Sequence, residues 1–232
     1  MNPDLVYILK NTTENEEFRY SLRSVVKHAK NYGKIITIGG KVDNIVTDIN
    51  IPLRQVGVTK YDRVNITLKE ICLNPLISDN FILMNDDFFL MKDLDMSKLK
   101  PYYRCTMPEY LEILVRDKAR SEYSGRLARA GMALEALNLD NKCYELHIPM
   151  LFNKHKLLEV FGVFTGFTGT RSLYGNYHKI KATKSDDCKV FTKGEDFRKD
   201  LPWLSTTDAS FRLGKVGEYI RGKFPDKCKF EL

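Results

Sequence analysis

The stretch Phe81-Ile82-Leu83-Met84-Asn85-Asp86-Asp87-Phe88-Phe89 runs from an apolar segment straight into two adjacent carboxylates. An apolar run without alternation reads as a short strand buried on both faces, as parallel strands are. In open α/β sheets, ligands bind at the C-terminal ends of such strands. Working back, Asp4 to Leu9 is a second apolar β-run. Between Glu14 and Asn31, residues Phe18, Leu22, Val25, Val26 and Ala29 fall on one helical face. Thr13 and Glu16 have capping-box spacing, and Gly33 closes the segment. Lys34 to Ile38 is another β-run. Ile49 to Val56 is a candidate edge strand or loop, because Pro52 cannot serve a central ladder. Tyr61 to Leu73 carries Val64, Leu68, Ile71 and Cys72 at helical spacing. This β-α-β-(β)-α-β order predicts an open α/β sheet.

The second half is less regular. Pro108 to Leu139 predicts two helices, broken near Ser124-Gly125 or at Gly131. Cys143 to Phe152 reads as a strand, and Asn153 caps a short helix to Phe161. Thr165 to Gly169 is a loop. Phe211 to Phe224 is a final helix stopped by Pro225, with Asp208 as its candidate cap.

At 232 residues the chain is long enough to bury a core without disulfides, and the expectation is one domain. Its 43% hydrophobic and 29% charged residues exclude disorder as the main state. Lys plus Arg exceed Asp plus Glu by 37 − 30 = 7, which favours anionic partners. The five cysteines have no CxxC spacing, so zinc-ribbon and redox motifs are excluded and inert thiols are expected. No run approaches a membrane span and no signal-peptide pattern stands at the start, so a cytoplasmic protein is expected.

Adjacent carboxylates repel unless a cation or hydrogen-bond donors compensate. Asp86 and Asp87 are therefore candidate ligands for Mg²⁺ or Mn²⁺ shared with a diphosphate, or else a solvated acidic turn. Replacing either is expected to spare or improve folding by relieving repulsion. Arg19 and Arg23, at i and i+4, can point their forks the same way, toward phosphate or as an exposed pair beside Glu16 and Glu17. His147 lies in a strand-like run, where it is either a general base or a histidine bonded to backbone. Arg116, Arg120, Arg126 and Arg129, with Lys118, form a basic helical stretch that reads as a solvated face with Asp117 and Glu122. Arg171 to His178 mixes cationic, aromatic and amide groups, which suits sugar or base contact and equally suits a helix start with a packed tyrosine.

Several of these stretches share a resemblance. Arg19-Tyr20-Ser21-Leu22-Arg23-Ser24, preceded by Asn15-Glu16-Glu17, resembles the NELRYSLRS block of the Stealth family. Those are bacterial capsule sugar-phosphate transferases, with the lysosomal-enzyme phosphotransferases of animals as relatives. Ile77 to Leu90 is similar to that family's LSxxFIYxNDDxFL block, and Leu146-His147-Ile148-Pro149 resembles its His-x-Pro block. Phe224 to Glu231 resembles the FPxxSxxE ending of related capsule and phage sequences. The family's opening VYTWVDG is not matched, since Tyr7 is followed by Ile8-Leu9-Lys10.

The resemblance implies a GT-A-like, Rossmann-type sheet with a mostly helical C-terminal acceptor half, divided as 1–100 and 101–232. It implies transfer of a sugar or sugar-1-phosphate from a nucleotide-sugar to the hydroxyl of a glycan or other anionic polymer. Asp86 and Asp87 would hold the metal, with Asp87 also catalytic. Lys10, Arg19, Arg23 and Arg171 would bind donor phosphate, and His147 would act as base. Two alternatives stay open: a phage-type enzyme glycosylating DNA, and a non-catalytic glycan- or nucleic-acid-binding module.

Overall fold

In a computed structural model, described for residues 2–10, 12–54, 56–116 and 121–232, the first half runs β1 (Asp4–Leu9), α1 (Glu16–His28), β2 (Ile35–Gly39), β3 (Ile49–Pro52), α2 (Lys60–Leu73), β4 (Asn80–Met84) and β5 (Phe88–Leu90). The second half adds α3 (Met107–Arg116), α4 (Ser121–Ala136), β6 (Met150–Asn153), α5 (Lys154–Val163), α6 (Thr170–Tyr177), β7 (Lys189–Val190), β8 (Trp203–Thr206), α7 (Asp208–Leu213) and α8 (Lys215–Lys223). A 3₁₀ turn at Met96–Lys98 and some two-residue bridges lie between these elements.

The main sheet has the order β3-β2-β1-β4-β6. Its first four strands are parallel and β6 runs antiparallel to β4. From β1 the chain steps outward to β2 and β3; α2 then carries it back to β4 on the other side of β1. The strand order therefore reverses between β1 and β4, where open α/β sheets form their ligand crevice. The fold is α/β, as the order of elements in the sequence predicts. Pro52 ends an edge strand, where its missing N–H costs no ladder bond.

Alternation along β1 builds the two faces. Leu5, Tyr7 and Leu9 pack with Phe18, Leu22 and Val25 of α1 on one side. Val6 faces the opposite layer, with Ile36, Ile38, Phe81 and the helices α2 to α6. Phe18, Leu22 and Val25 are all but fully buried, worth roughly 1.5–3 kcal/mol each. At the base of β1, Asp4 accepts from Lys34 N (2.7 Å) and Ser78 N (2.8 Å). Only glycine fits at Gly33, where a Cβ would stand 2.3 Å from the Asp4 carboxylate.

Several boundaries differ from the sequence reading. Helix α1 starts later than Thr13, with Asn15 as the cap accepting from Phe18 N. Gly125 and Gly131, the expected break points, lie inside α4. Only the end of Cys143–Phe152 is a strand, because side chains and loops take the earlier amides. Tyr144 N donates to Ser172 Oγ, Leu146 N to Tyr144 O and His147 N to Asp187, and Pro149 has none. The expected final helix is two, α7 capped by Thr207 rather than Asp208, and α8. Gly217 makes this crossing possible, since a Cβ there would meet Phe211 O at 1.6 Å.

The second half is mostly helical but not separate from the first. It supplies edge strand β6, and β8 pairs antiparallel with β5 while lying parallel to β7. Strands from residues 1–100 and from 101–232 thus pair in the same sheets. Among the described residues no helix is long and apolar enough to cross a membrane. All five cysteines are free, four of them buried.

Candidate active site

The C-terminal end of β4 delivers Asp86 and Asp87 beside the end of β1, at the reversal of strand order. They differ in environment. Asp86 is half-buried, and burial pushes its pKa up; a bond from Asn15 Nδ2 (2.7 Å) opposes this, Asp87 adds to it, and Lys10 at the end of β1 opposes it. Asp87 is paired: Lys189 Nζ lies 2.6 Å from Oδ2, and the two side chains are 13% and 14% exposed. Ser205 Oγ reaches the same oxygen at 3.4 Å. The other oxygen, Asp87 Oδ1, is buried with no hydrogen-bond partner. The repulsion expected between the carboxylates is therefore answered on one side by a lysine.

A third carboxyl faces this pair. Glu17, in the first turn of α1, accepts a short bond from Thr206 Oγ1. Burial raises its pKa to about 7; the Thr206 bond opposes this, Asp87 and Asp86 raise it further, and Lys189 opposes. Its charge thus changes near neutral pH, although it reads in sequence only as a surface neighbour of Arg19.

His147 reaches the same edge through the register of β6. Antiparallel pairing sets Leu83 opposite Met150, so the chain before Met150 heads toward Asp86 and Asp87. The ring is 30% exposed, and its Nδ1 lies 2.7 Å from Asp187 Oδ2, while the backbone N donates to Asp187 Oδ1 at 3.0 Å. Burial of Asp187 would raise its pKa, but the His147 bonds and charge, with Arg104 at 3.2 Å, hold it at about 2. Asp187 is ionised and fixes the ring. A neutral ring donating from Nδ1 leaves the Nε2 lone pair to accept a proton.

Asp187 and Lys189 were not among the residues singled out from sequence, yet they join the site. Alternation at the start of β7 sends both side chains to one face, 187 to His147 and 189 to Asp87. One three-residue segment thereby ties the histidine to the acidic pair. The only sequence signal is that i, i+2 spacing of opposite charges.

Arg19 and Arg23 both lie against a carboxylate of the chain's own tail. Arg23 Nε and Nη2 donate to the Glu231 carboxylate at 2.6 and 2.8 Å, and Nη1 donates to Phe224 O and Pro225 O. Arg19 lies 3.6 Å from the same carboxylate. A carboxylate offers the guanidinium fork the same pair of oxygens as a phosphate, and for Arg23 the tail supplies one. Two of the resembling stretches, around Arg23 and around Glu231, meet here as a structural tie. Arg23→Ala leaves Glu231, 3% exposed, without its counter-charge, at an expected cost of about 3–5 kcal/mol. Urea denaturation checks this, and a loss under about 1 kcal/mol contradicts it. Arg23→Lys should leave nucleotide affinity unchanged.

Arg171 is likewise engaged internally. Its Nη1 donates to Leu146 O (3.2 Å) and Ile148 O (2.6 Å), the carbonyls flanking His147, and the guanidinium lies over Phe88 at 5.8 Å. It braces the His147 segment against the residue after Asp87. The stretch that follows is helix α6, whose Ser172, Tyr174 and Asn176 bond Tyr144, Asn153 and Lys142. That favours the packed-helix reading over sugar contact for those three. Arg126, its side chain 17% exposed, pairs with Glu122 at 3.2 Å and with Asp62 of α2 at 3.7 Å and lies over Tyr61, so it packs against α2 rather than standing on a solvated face. Asp117, Lys118 and Arg120 lie outside the described residues.

Farther along the same sheet edge, Gly39, Gly40, Lys41, Asn50, Arg54 and Arg63 line an open cleft of about 640 Å³ at the ends of β2 and β3. Sequence reading missed it because its cations are far apart in the chain.

No family model matches this chain, and no curated protein matches it. Among solved structures it is similar to the apo form of the bifunctional glycosyltransferase WbbM, at 13% identity and a TM-score of 0.47, over 98% of this chain and 45% of that one. It is also similar to the apo form of the glycosyltransferase GlyE from Streptococcus pneumoniae TIGR4, at 13% identity and a TM-score of 0.36, over 82% of this chain. The chain spans less than half the length of each, 46% of GlyE.

Proposed function

We propose that this protein transfers a sugar or a sugar-1-phosphate from a nucleotide-activated donor to an acceptor hydroxyl. The observation that carries this reading is the convergence of a fixed His147–Asp187 pair and the Asp86, Asp87, Glu17 and Lys189 cluster at the reversal of strand order. The acceptor hydroxyl gives its proton to His147 Nε2 as its oxygen bonds to the transferred group. Asp187 holds the ring and stabilises the imidazolium that forms. Lys189 and Lys10 supply positive charge where the leaving phosphate develops negative charge. The nucleotide lies along the cleft of Lys41, Arg54 and Arg63, whose cations complement its phosphates.

Among the described residues no group of three or more His, Cys, Asp or Glu side chains is arranged to hold a metal ion by itself. The unpartnered Asp87 Oδ1 nevertheless fits a hard cation bound through one or two carboxylates and the donor's own phosphate oxygens. Asp87 and Asp86 would hold Mg²⁺ or Mn²⁺, which when bound neutralises charge on the leaving phosphate.

A screen of nucleotide-sugars with and without Mn²⁺, read by mass spectrometry, tests the reading. Sugar transfer releases nucleoside diphosphate; sugar-1-phosphate transfer releases nucleoside monophosphate. A protein that binds no nucleotide-sugar and releases neither product refutes it.

A further inference from the structure

A second cleft, of about 230 Å³, runs from Ile148 and Pro149, next to His147, along edge strand β6 to Asn80 and Asn153. Three cations line it, Lys100, Lys156 and Arg171, and none of its lining residues is acidic. Lys100 and Lys156 are exposed, and neither ammonium has an ion pair or hydrogen bond among the described residues. Most other cations near the site are committed: Arg23 to Glu231, Lys189 to Asp87 and Arg104 to Asp187. Arg171 sits at the inner end, with only Nη1 bonded, to the carbonyls flanking His147.

Between the cations the cleft is aromatic and rigid. Tyr144 and Tyr174 form a buried floor, their hydroxyls bonded to Ile180 O (2.9 Å) and Asn153 N (3.0 Å). Tyr102, half-buried, makes a wall. Tyr102 is the ring that keeps surface open to a ligand, and an aromatic wall beside fixed polar groups suits the apolar face and hydroxyls of a sugar ring. Two unpaired lysines and a lining without acidic residues suit a negative charge on that ring.

We infer that this cleft is the acceptor site and that it takes an acidic carbohydrate, one bearing a carboxylate or phosphate, with a hydroxyl presented at the Ile148–Pro149 end to His147. The inference rests on the transferase reading for the acceptor's role, but binding of the acidic sugar stands by itself. The carboxylate and phosphate sources share the chemistry of an anion on a sugar ring and are separated by experiment.

Binding is measured by NMR titration of the full chain with three probes: a glucuronic acid-terminated disaccharide, glucose 6-phosphate and neutral cellobiose. One or both acidic probes should bind about tenfold more tightly than cellobiose, the scale of a few partly exposed charge contacts. The stronger acidic probe identifies the source of charge. The double variant Lys100→Gln, Lys156→Gln should lose most of that preference while leaving cellobiose and nucleoside-diphosphate affinities unchanged. Both lysines are exposed, so the variant should fold. Equal binding of acidic and neutral probes, or a preference that survives in the double variant, overturns the inference. If the acidic probe binds but no nucleotide-sugar is consumed, the cleft stands and the transferase reading falls. If donor is consumed without acidic preference, the reverse holds.

Discussion

His147→Ala should lower turnover with acceptor by about 10²–10⁴-fold, the usual worth of a positioned general base. Donor binding should be spared, because the ring's partners are Asp187 and, edge-on at 6.1 Å between centroids, Phe191, rather than the acidic pair. Asp187→Asn keeps the shape but removes the carboxylate that fixes the ring, so it should also lower turnover with little change in donor affinity. The two effects should not add, since one residue acts through the other. Asp187 carries a separate stability signature. Its pKa in the fold, about 2, lies below the ordinary value of 3.8, so its contribution is present above about pH 4 and is lost as pH falls toward 2. Asp187→Asn should flatten that acid limb in thermal unfolding. A histidine that only braces its strand gives the opposite pattern: His147→Ala would lower the Tm and leave turnover per folded molecule intact.

Asp87→Ala and Asp86→Ala should separate in stability while agreeing in activity. Either should reduce turnover by about 10²-fold or more, the scale of losing electrostatic support for developing charge. Either should also weaken any dependence of nucleoside-diphosphate binding on Mg²⁺ or Mn²⁺. In stability, however, Asp87→Ala leaves the Lys189 ammonium, 13% exposed, without its partner, so it should destabilise. Asp86→Ala removes a carboxyl whose ionisation burial opposes, so it should be neutral or stabilising near neutral pH. The sequence-based expectation of relief at both positions therefore applies to Asp86 alone. Calorimetric titration with nucleoside diphosphate, with and without metal, and thermal melts of both variants decide the matter. Unaltered turnover in both would remove the acidic pair from the mechanism. Equal stability changes would show that the Lys189 pairing contributes little.

Local pattern was enough to reveal the acidic edge. The short apolar run Phe81–Met84, closed by turn-forming residues, reads as a strand with both faces buried, and the residues that follow such a strand emerge where parallel strands open their crevice. The periodicity of Phe18, Leu22 and Val25 likewise dictates α1, since one helical face must cover the sheet. For His147 the motif pointed to a residue but not to a geometry.

Partners lay beyond reach of the sequence because each joins positions far apart in the chain. Arg23 and Glu231 are separated by 208 residues, so nothing local tells a phosphate-binding fork from one closed on a carboxylate. Asp187 and Lys189 stand in a polar stretch with no hydrophobic period, and their roles arise only when β7 docks beside β8. Glu17 reads as a solvated helix residue until Thr206 and the acidic pair surround it. The sequence alone determined which strand ends in charge and which helix covers the sheet, because periodicity and burial are local properties. Only the tertiary structure decided which charges meet, because pairing depends on register and on the antiparallel return of β6, and neither is written within any single segment.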